Sequence, residues 1–149
     1  MKLAVNLLND YAAQCDRTLN HNYKRKRVAD QLGRQDVNWD FYMQMEKFGN
    51  AMLVTAIDGQ ALVGFALYVI YVHPHHPDSK VGVASFLIVA PQYRGHGLGK
   101  TIVEFAMPEL KKRGCTHIMH NRRMVYDVAP LFPKLGFEKI EETYVKELK

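Results

Sequence analysis

The chain has 149 residues and a formal net charge of +5, and with 48% hydrophobic and 23% charged residues it reads as an ordinary globule of one domain, residues 1–149, rather than a disordered or fibrous chain. The longest apolar stretch, residues 61–72, is far below the ~20 residues of a membrane span, and no signal-peptide core follows Lys2, so no membrane is expected and the cytoplasm is the expected location. The positive balance suits an anionic cofactor or an acidic partner without identifying either.

Lys2–Asn6 reads as a first strand, followed by amphipathic helical segments at Leu7–Leu19, Tyr23–Leu32 and Val37–Lys47. The period then changes. Ala51–Ile57 and Gln60–His73 are β-rich and meet at Asp58-Gly59, a two-residue hairpin signal. Pro74–Ser79 reads as a turn, Val81–Ala90 as a strand, and Leu98–Arg113 as a helix ended by Gly114. Leu98, Ile102, Phe105, Ala106 and Leu110 share one face of that helix, as packing on a sheet requires, while Pro108 predicts a kink or a break. A short strand at Thr116–His120, a helix at Tyr126–Leu135 and a last strand at Phe137–Lys146 close the chain. Cys15 and Cys115, far apart and without C-x-x-C, read as buried free thiols.

The run from Val83 to Lys100 passes from apolar strand through a glycine turn to a helix start, which is how a phosphate site is built. Gly95, Gly97 and Gly99 permit φ > 0 and close approach of an anion to the backbone, and Arg94 and Lys100 add charge. Gly95–Thr101 nearly spells a Walker A loop, but it is one residue short and no later strand ends in the Asp that would hold Mg²⁺. A dinucleotide fold would place the turn after the first strand, with an acidic residue about 20 positions on. Here it lies two-thirds of the way along, with no such residue after Thr116–Met119.

Arg94-Gly95-His96-Gly97-Leu98-Gly99 resembles the [QR]-x-x-G-x-[GA] signature of the GNAT superfamily of N-acetyltransferases. Leu87-Ile88-Val89-Ala90-Pro91 stands where that family's strand end lies, and Lys134-Leu135-Gly136-Phe137 is similar to its K-L-G-F element. The likeness covers residues 51–149 well and the first fifty by general pattern, and the closing Phe137–Leu148 is similar to the tail of phage-encoded members. The resemblance implies a mixed α/β (α+β) fold with a mostly antiparallel central sheet, flanked by helices and splayed where acetyl-CoA binds. It implies direct attack of a primary amine, of a small molecule or a protein, on the acetyl thioester. Cofactor contacts are then expected at Leu87, Ile88, Val89, Arg94, Gly95, His96, Gly97, Leu98, Gly99, Lys100 and Phe132, mostly through backbone amides that bind pantetheine and polarise the thioester carbonyl.

The chain departs from the family at the proton donor. Its usual tyrosine falls at Phe132, which has no proton to give, and Pro133 follows; Tyr126 is the nearest substitute. A thiol pKa near 8.5 also lets the thiolate leave without a donor at modest cost. Ser85 is the only polar side chain on Val81–Ala90, so no carboxylate base stands there. The candidate base is therefore His73, in a cluster with His75, His76 and Asp78 that also reads as a solvated turn; no second ligand cluster accompanies it, and no metal is expected. His96 reads as packing over phosphate, His120 as lining the splay or the core, and Arg122-Arg123 as a contact for a 3′-phosphate or plain surface charge. Lys24–Arg27 and Lys111–Arg113 read as solvated charge, with only Tyr23 as an adjacent aromatic, so nucleic acid is not an expected partner. The acceptor amine and the oligomeric state, a homodimer included, carry no signature. The competing reading is a catalytically weak coenzyme A-binding or protein-interaction module of the same fold.

Overall fold

The computed structural model describes residues 1–24, 36–121 and 130–148. In chain order the elements are β1 (Lys2–Asn6), α1 (Leu8–Lys24), α2 (Trp39–Lys47), β2 (Ala51–Asp58), β3 (Ala61–His73), β4 (His76–Val89), a 3₁₀ turn (Pro91–Tyr93), α3 (Leu98–Lys112), β5 (His117–Met119) and the single turn α4 (Leu131–Lys134). The described strands form one sheet in the order β1-β2-β3-β4-β5, antiparallel throughout except for the parallel pair β4–β5 that α3 connects. The expected mixed, mostly antiparallel sheet with flanking helices is what forms.

Helices cover both faces, which is why β2 and β3 read as unbroken apolar runs rather than alternating ones. Under α3 lie Leu98, Ile102, Ala106 and Leu110 with Met52, Val54, Ala66, Tyr68 and Ile70; Phe105 packs against them partly buried. On the opposite face Leu8, Cys15 and Leu19 of α1 meet Leu53, Phe65, Leu67, Phe86 and Ile88, with Trp39 and Tyr42 of α2 alongside. A carboxylate ties the two helices on that face together: Glu46 of α2 accepts the Leu8 N–H at the start of α1, 3.0 Å away. Its partial burial raises its pKa. No helix among the described residues is long and apolar enough to cross a membrane.

Several expectations need correction. The first helix runs on to Lys24, so the segment read over Tyr23–Leu32 contributes only the end of α1 among the described residues. The third helix begins two residues later than Val37, because Asn38 caps it by accepting the Phe41 N–H at 3.1 Å. The turn read over Pro74–Ser79 shrinks to Pro74-His75, and His73 pairs directly with His76. The next pair is Val72 with Lys80, so residues 77–79 bulge out of the ladder, and Pro77 there forfeits no ladder hydrogen bond. Pro108 does not break α3; it lies on the exposed face, beside the exposed Glu104 whose carbonyl loses its helical donor there. Residues 137–148 form no strand, although Phe137–Lys146 has the composition of one. Strand propensity does not by itself make a strand: this segment pairs with neither the outer edge of β5 nor the uncovered part of β4, and its Tyr144 hydroxyl donates locally to Glu142 at 2.6 Å.

Candidate functional site

β4 and β5 pair only through Val81, Gly82 and Val83 against His117, Ile118 and Met119. Beyond Val83 no described strand covers β4 on that side, so the sheet forks there. The Ala90 N–H donates to Val63 O of β3 at 2.8 Å. Main-chain donors alternate sides along a strand, so the amides of Phe86 and Ile88 share that direction, and those of Leu87 and Val89 face the fork. The Val89 carbonyl confirms the direction, since it is taken by Arg94 Nε at 2.9 Å. Of the three expected contacts, Leu87 and Val89 thus offer amides without a partner among the described residues, whereas Ile88 is committed to β3 and buries its side chain against the α1 face.

A bulge prepares this edge. Leu67 opposes Phe86 and Tyr68 opposes Ala84, leaving Ser85 as the extra residue. The slip moves Ala84, Leu87 and Val89 to the α3 face and Phe86 and Ile88 to the other, without which Leu87 and Val89 would point their amides and side chains differently.

After Ala90 the chain makes its 3₁₀ turn, passes through Arg94 and enters α3 by way of Gly95 and Gly97, both at φ +80°. Those two positions require glycine. A Cβ at either would meet nothing within 4 Å, so the space before the helix is open. Gly99 differs from expectation: it uses no positive φ, lies in the first helical turn, and faces the Val89 side chain, whose Cγ2 a Cβ would meet at 3.8 Å. Gly97 is the N-cap and no side chain caps the helix, so the amides of Leu98, Gly99 and Lys100 precede the first intrahelical bond, Thr101 N–H to Gly97 O at 3.0 Å. Leu98 buries its side chain in the core and has only its main chain to offer. Arg94, His96 and Lys100 are exposed around the turn, with Lys100 3.6 Å from Glu104. The Tyr93 hydroxyl anchors the turn by donating to Asp58 at 2.7 Å, and that bond raises its pKa. The result is a cradle of unbonded amides at a helix N-terminus, an arrangement chemically suited to an anion, joined end to end with the strand amides of Leu87 and Val89.

At the vertex of the fork lies an aromatic cluster. His120 is the first residue past β5, and its Nε2 is 2.9 Å from the Tyr68 hydroxyl of β3. Its ring lies 5.4 Å from that of Tyr68, 5.6 Å from Phe132 and 5.6 Å from Phe137. Burial pushes the His120 pKa down from 6.5 to about 4 and raises that of Tyr68. Phe132 therefore sits at the vertex of the fork, its ring beside that of a histidine. Tyr68 gave no sequence signal, since a tyrosine inside an apolar strand reads as core.

The other candidates do not converge here. His73 lies at the tip of the β3–β4 hairpin, its ring 4.8 Å from that of His76. Counted along β3, whose residues pair regularly here, His73 at the tip is five residues from Tyr68 opposite Ala84, roughly 16 Å at 3.3 Å each. The hairpin histidines are thus remote from the fork, and the base expected of His73 is not placed there. Tyr126, Arg122 and Arg123 lie outside the described residues.

Residues 10–137 match the family model described as the acetyltransferase (GNAT) family. No curated protein sequence matches the chain. Among solved structures it is similar to the tetramutant of the BH1408 protein from Bacillus halodurans, with a TM-score of 0.78 and 16% identity over 99% of this chain and 100% of the other. It is similar also to a ribosomal-protein-alanine N-acetyltransferase from Brucella melitensis biovar Abortus 2308, at 0.72 and 19% over 99% and 100%. A third is the aminoglycoside acetyltransferase meta-AAC0020 from an uncultured soil metagenomic sample, in complex with sisomicin, at 0.75 and 15% over 99% and 96%. At these identities the structural likenesses speak for the fold.

Proposed function

Because the chain belongs to the GNAT acetyltransferase family, we propose that it transfers an acetyl group from acetyl-CoA to a primary amine by direct attack. The observation that carries this reading is the continuity of two features, the cradle at Gly95–Lys100 and the Leu87 and Val89 amides, without a partner among the described residues. Acetyl-CoA, the co-substrate, supplies a thioester already activated toward nucleophiles. The turn amides, with Arg94 and Lys100, hold its pyrophosphate. The Leu87 and Val89 amides bind the pantetheine arm and direct an N–H toward the thioester carbonyl, where charge develops as the amine attacks. The bulge at Ser85 and the Arg94–Val89 bond keep that donor strip preorganised. Exposed His96 covers the phosphates. A cytoplasmic location fits the two free, buried cysteines.

Gly99→Glu tests the cradle without backbone strain, whereas any side chain at Gly95 or Gly97 is strained by φ +80°. Calorimetry is expected to show acetyl-CoA binding to the native chain and at least a tenfold loss in Gly99→Glu, since the carboxylate repels phosphate at a helix N-terminus. Magnesium-ATP should not compete. Equal affinities in a variant with normal circular dichroism would remove the turn from the site. Turnover against a panel of small amines, polyamines and peptides is measured alongside. Binding without turnover favours the catalytically weak coenzyme A-binding module, a reading that Phe132 in place of the family's tyrosine supports.

A further inference from the structure

Tyr68, Ala84 and His120 lie in one row across the fork. Tyr68 pairs with Ala84, and Val83 pairs with Met119, so the next step in the parallel register brings His120 beside Ala84. Ala84 is small enough to let the Tyr68 hydroxyl reach His120 Nε2 across it, at 2.9 Å. The Tyr68 side chain is fully buried, and its hydroxyl has no other partner among the described residues. Were Nε2 the donor, the Tyr68 hydrogen would be left unpaired in the core, which costs about 1–3 kcal/mol. Tyr68 therefore donates, Nε2 accepts, and the ring proton resides on Nδ1. Nδ1 has no partner among the described residues, and none of their fully buried side-chain nitrogens or oxygens is left unsatisfied, so this nitrogen keeps access to solvent at the vertex of the fork, where the ring lies. Val89 pairs with Gly64 and Ala84 with Tyr68, so with Ser85 bulged out the edge runs four rungs from Val89 back to Ala84, roughly 13 Å, a span that an extended pantetheine arm covers.

Resting on the acetyl-transfer reading, we infer that His120 Nδ1–H is the donor to the coenzyme A sulfur, with Tyr68 as the positioning residue that fixes the ring and its tautomer. The amine lone pair forms the C–N bond, the C–S bond breaks with its electron pair going to sulfur, and the amine's surplus proton leaves to water. The resulting thiolate accepts a hydrogen bond from Nδ1–H, and the proton stays on the ring. Full proton transfer is unnecessary, because a thiolate is a tolerable leaving group once a donor faces it. The ring's neighbours are the uncharged Tyr68, Phe132 and Phe137, and its depressed pKa keeps it neutral, with this tautomer intact, at neutral pH. The donor lost at Phe132 is thereby supplied from the end of β5.

Coenzyme A itself is the probe. Its bound thiol, titrated by thiolate absorbance, is expected to ionise about one pH unit lower on the native chain than on His120→Ala, with His120→Asn recovering much of the difference through its amide N–H. With an accepted amine, His120→Ala should lower kcat roughly 10- to 100-fold at nearly unchanged acetyl-CoA affinity, and Tyr68→Phe less. Nitrogen NMR of the native imidazole should show the proton on Nδ1. Coenzyme A that binds equally but titrates alike in native and His120→Ala chains, or an Nε2–H tautomer, would overturn the inference and leave the acetyl-transfer reading standing. Failure of the native chain to bind coenzyme A would remove both.

Discussion

His120 matters to folding as well as to the fork. Unfolded, the imidazole binds its proton below about 6.5; folded, only below about 4, because its surroundings are desolvated. Between those values the unfolded chain holds more protons, so stability is complete above pH 6.5 and falls as the pH drops toward 4. The loss approaches about 3 kcal/mol for a shift from 6.5 to about 4. Denaturant unfolding at pH 7 and pH 4.5 should show a markedly smaller acid loss in His120→Gln than in the native chain, and equal losses would mean that the ring is not desolvated. Legibility at this scale divides by range. The demand for glycine at 95 and 97 is a local property of a backbone at φ +80°, readable from the turn itself. The Tyr68–His120 bond joins residues 52 apart and exists only because two strands part beside Ala84. No local pattern encodes it.

At the scale of elements, α3 sets the geometry of the cradle, and it is seated through a glycine. A Cβ on Gly82 of β4 would approach Leu110 Cδ2 to 2.7 Å and Cδ1 to 2.9 Å. Gly82→Ala should therefore cost about 1–3 kcal/mol by overpacking. Leu110→Ala should cost about 2–5 kcal/mol by leaving a cavity. The double variant should lose at least about 1 kcal/mol less than the sum, as residues in contact do. Strict additivity in denaturant titrations would show that α3 does not bear on the sheet at this point. The elements that sequence patterns located best are those whose pattern and packing agree: the buried strands β2 and β3 and the sheet-facing stripe of α3. Those that they misjudged obey a local rule that the surroundings overrule. Pro108 is carried by a helix anchored along its other face, and residues 137–148, strand-like in composition, pair with no strand among the described residues.

Across the whole molecule, the sheet separates two hydrophobic half-cores, and among the described residues the cradle at the start of α3 and the aromatic cluster, through Tyr68, adjoin the one under α3. That asymmetry was legible only in part, because the glycine turn announces one end of the cleft while the hairpin histidines drew the base toward the far tip of β4. The cysteines are distributed by the same division: Cys15 lies in the half-core under α1 and Cys115 in the one under α3. Burial drives the Cys15 thiol up to about 12, with a further push from Asp16, and raises Cys115 as well, partly offset by Lys80 and Arg113. Exposure is 0% for Cys15 and 9% for Cys115. Native-state labelling with a thiol reagent should therefore modify Cys115 first, and the reverse order would show that the α1 side opens more readily. With the sheet standing between them, oxidants should not bridge the two sulfurs. Each thiol then acts as a separate clock for the unmasking of its own side, and a ligand seated in the fork should slow the Cys115 clock while leaving that of Cys15 to keep its own time.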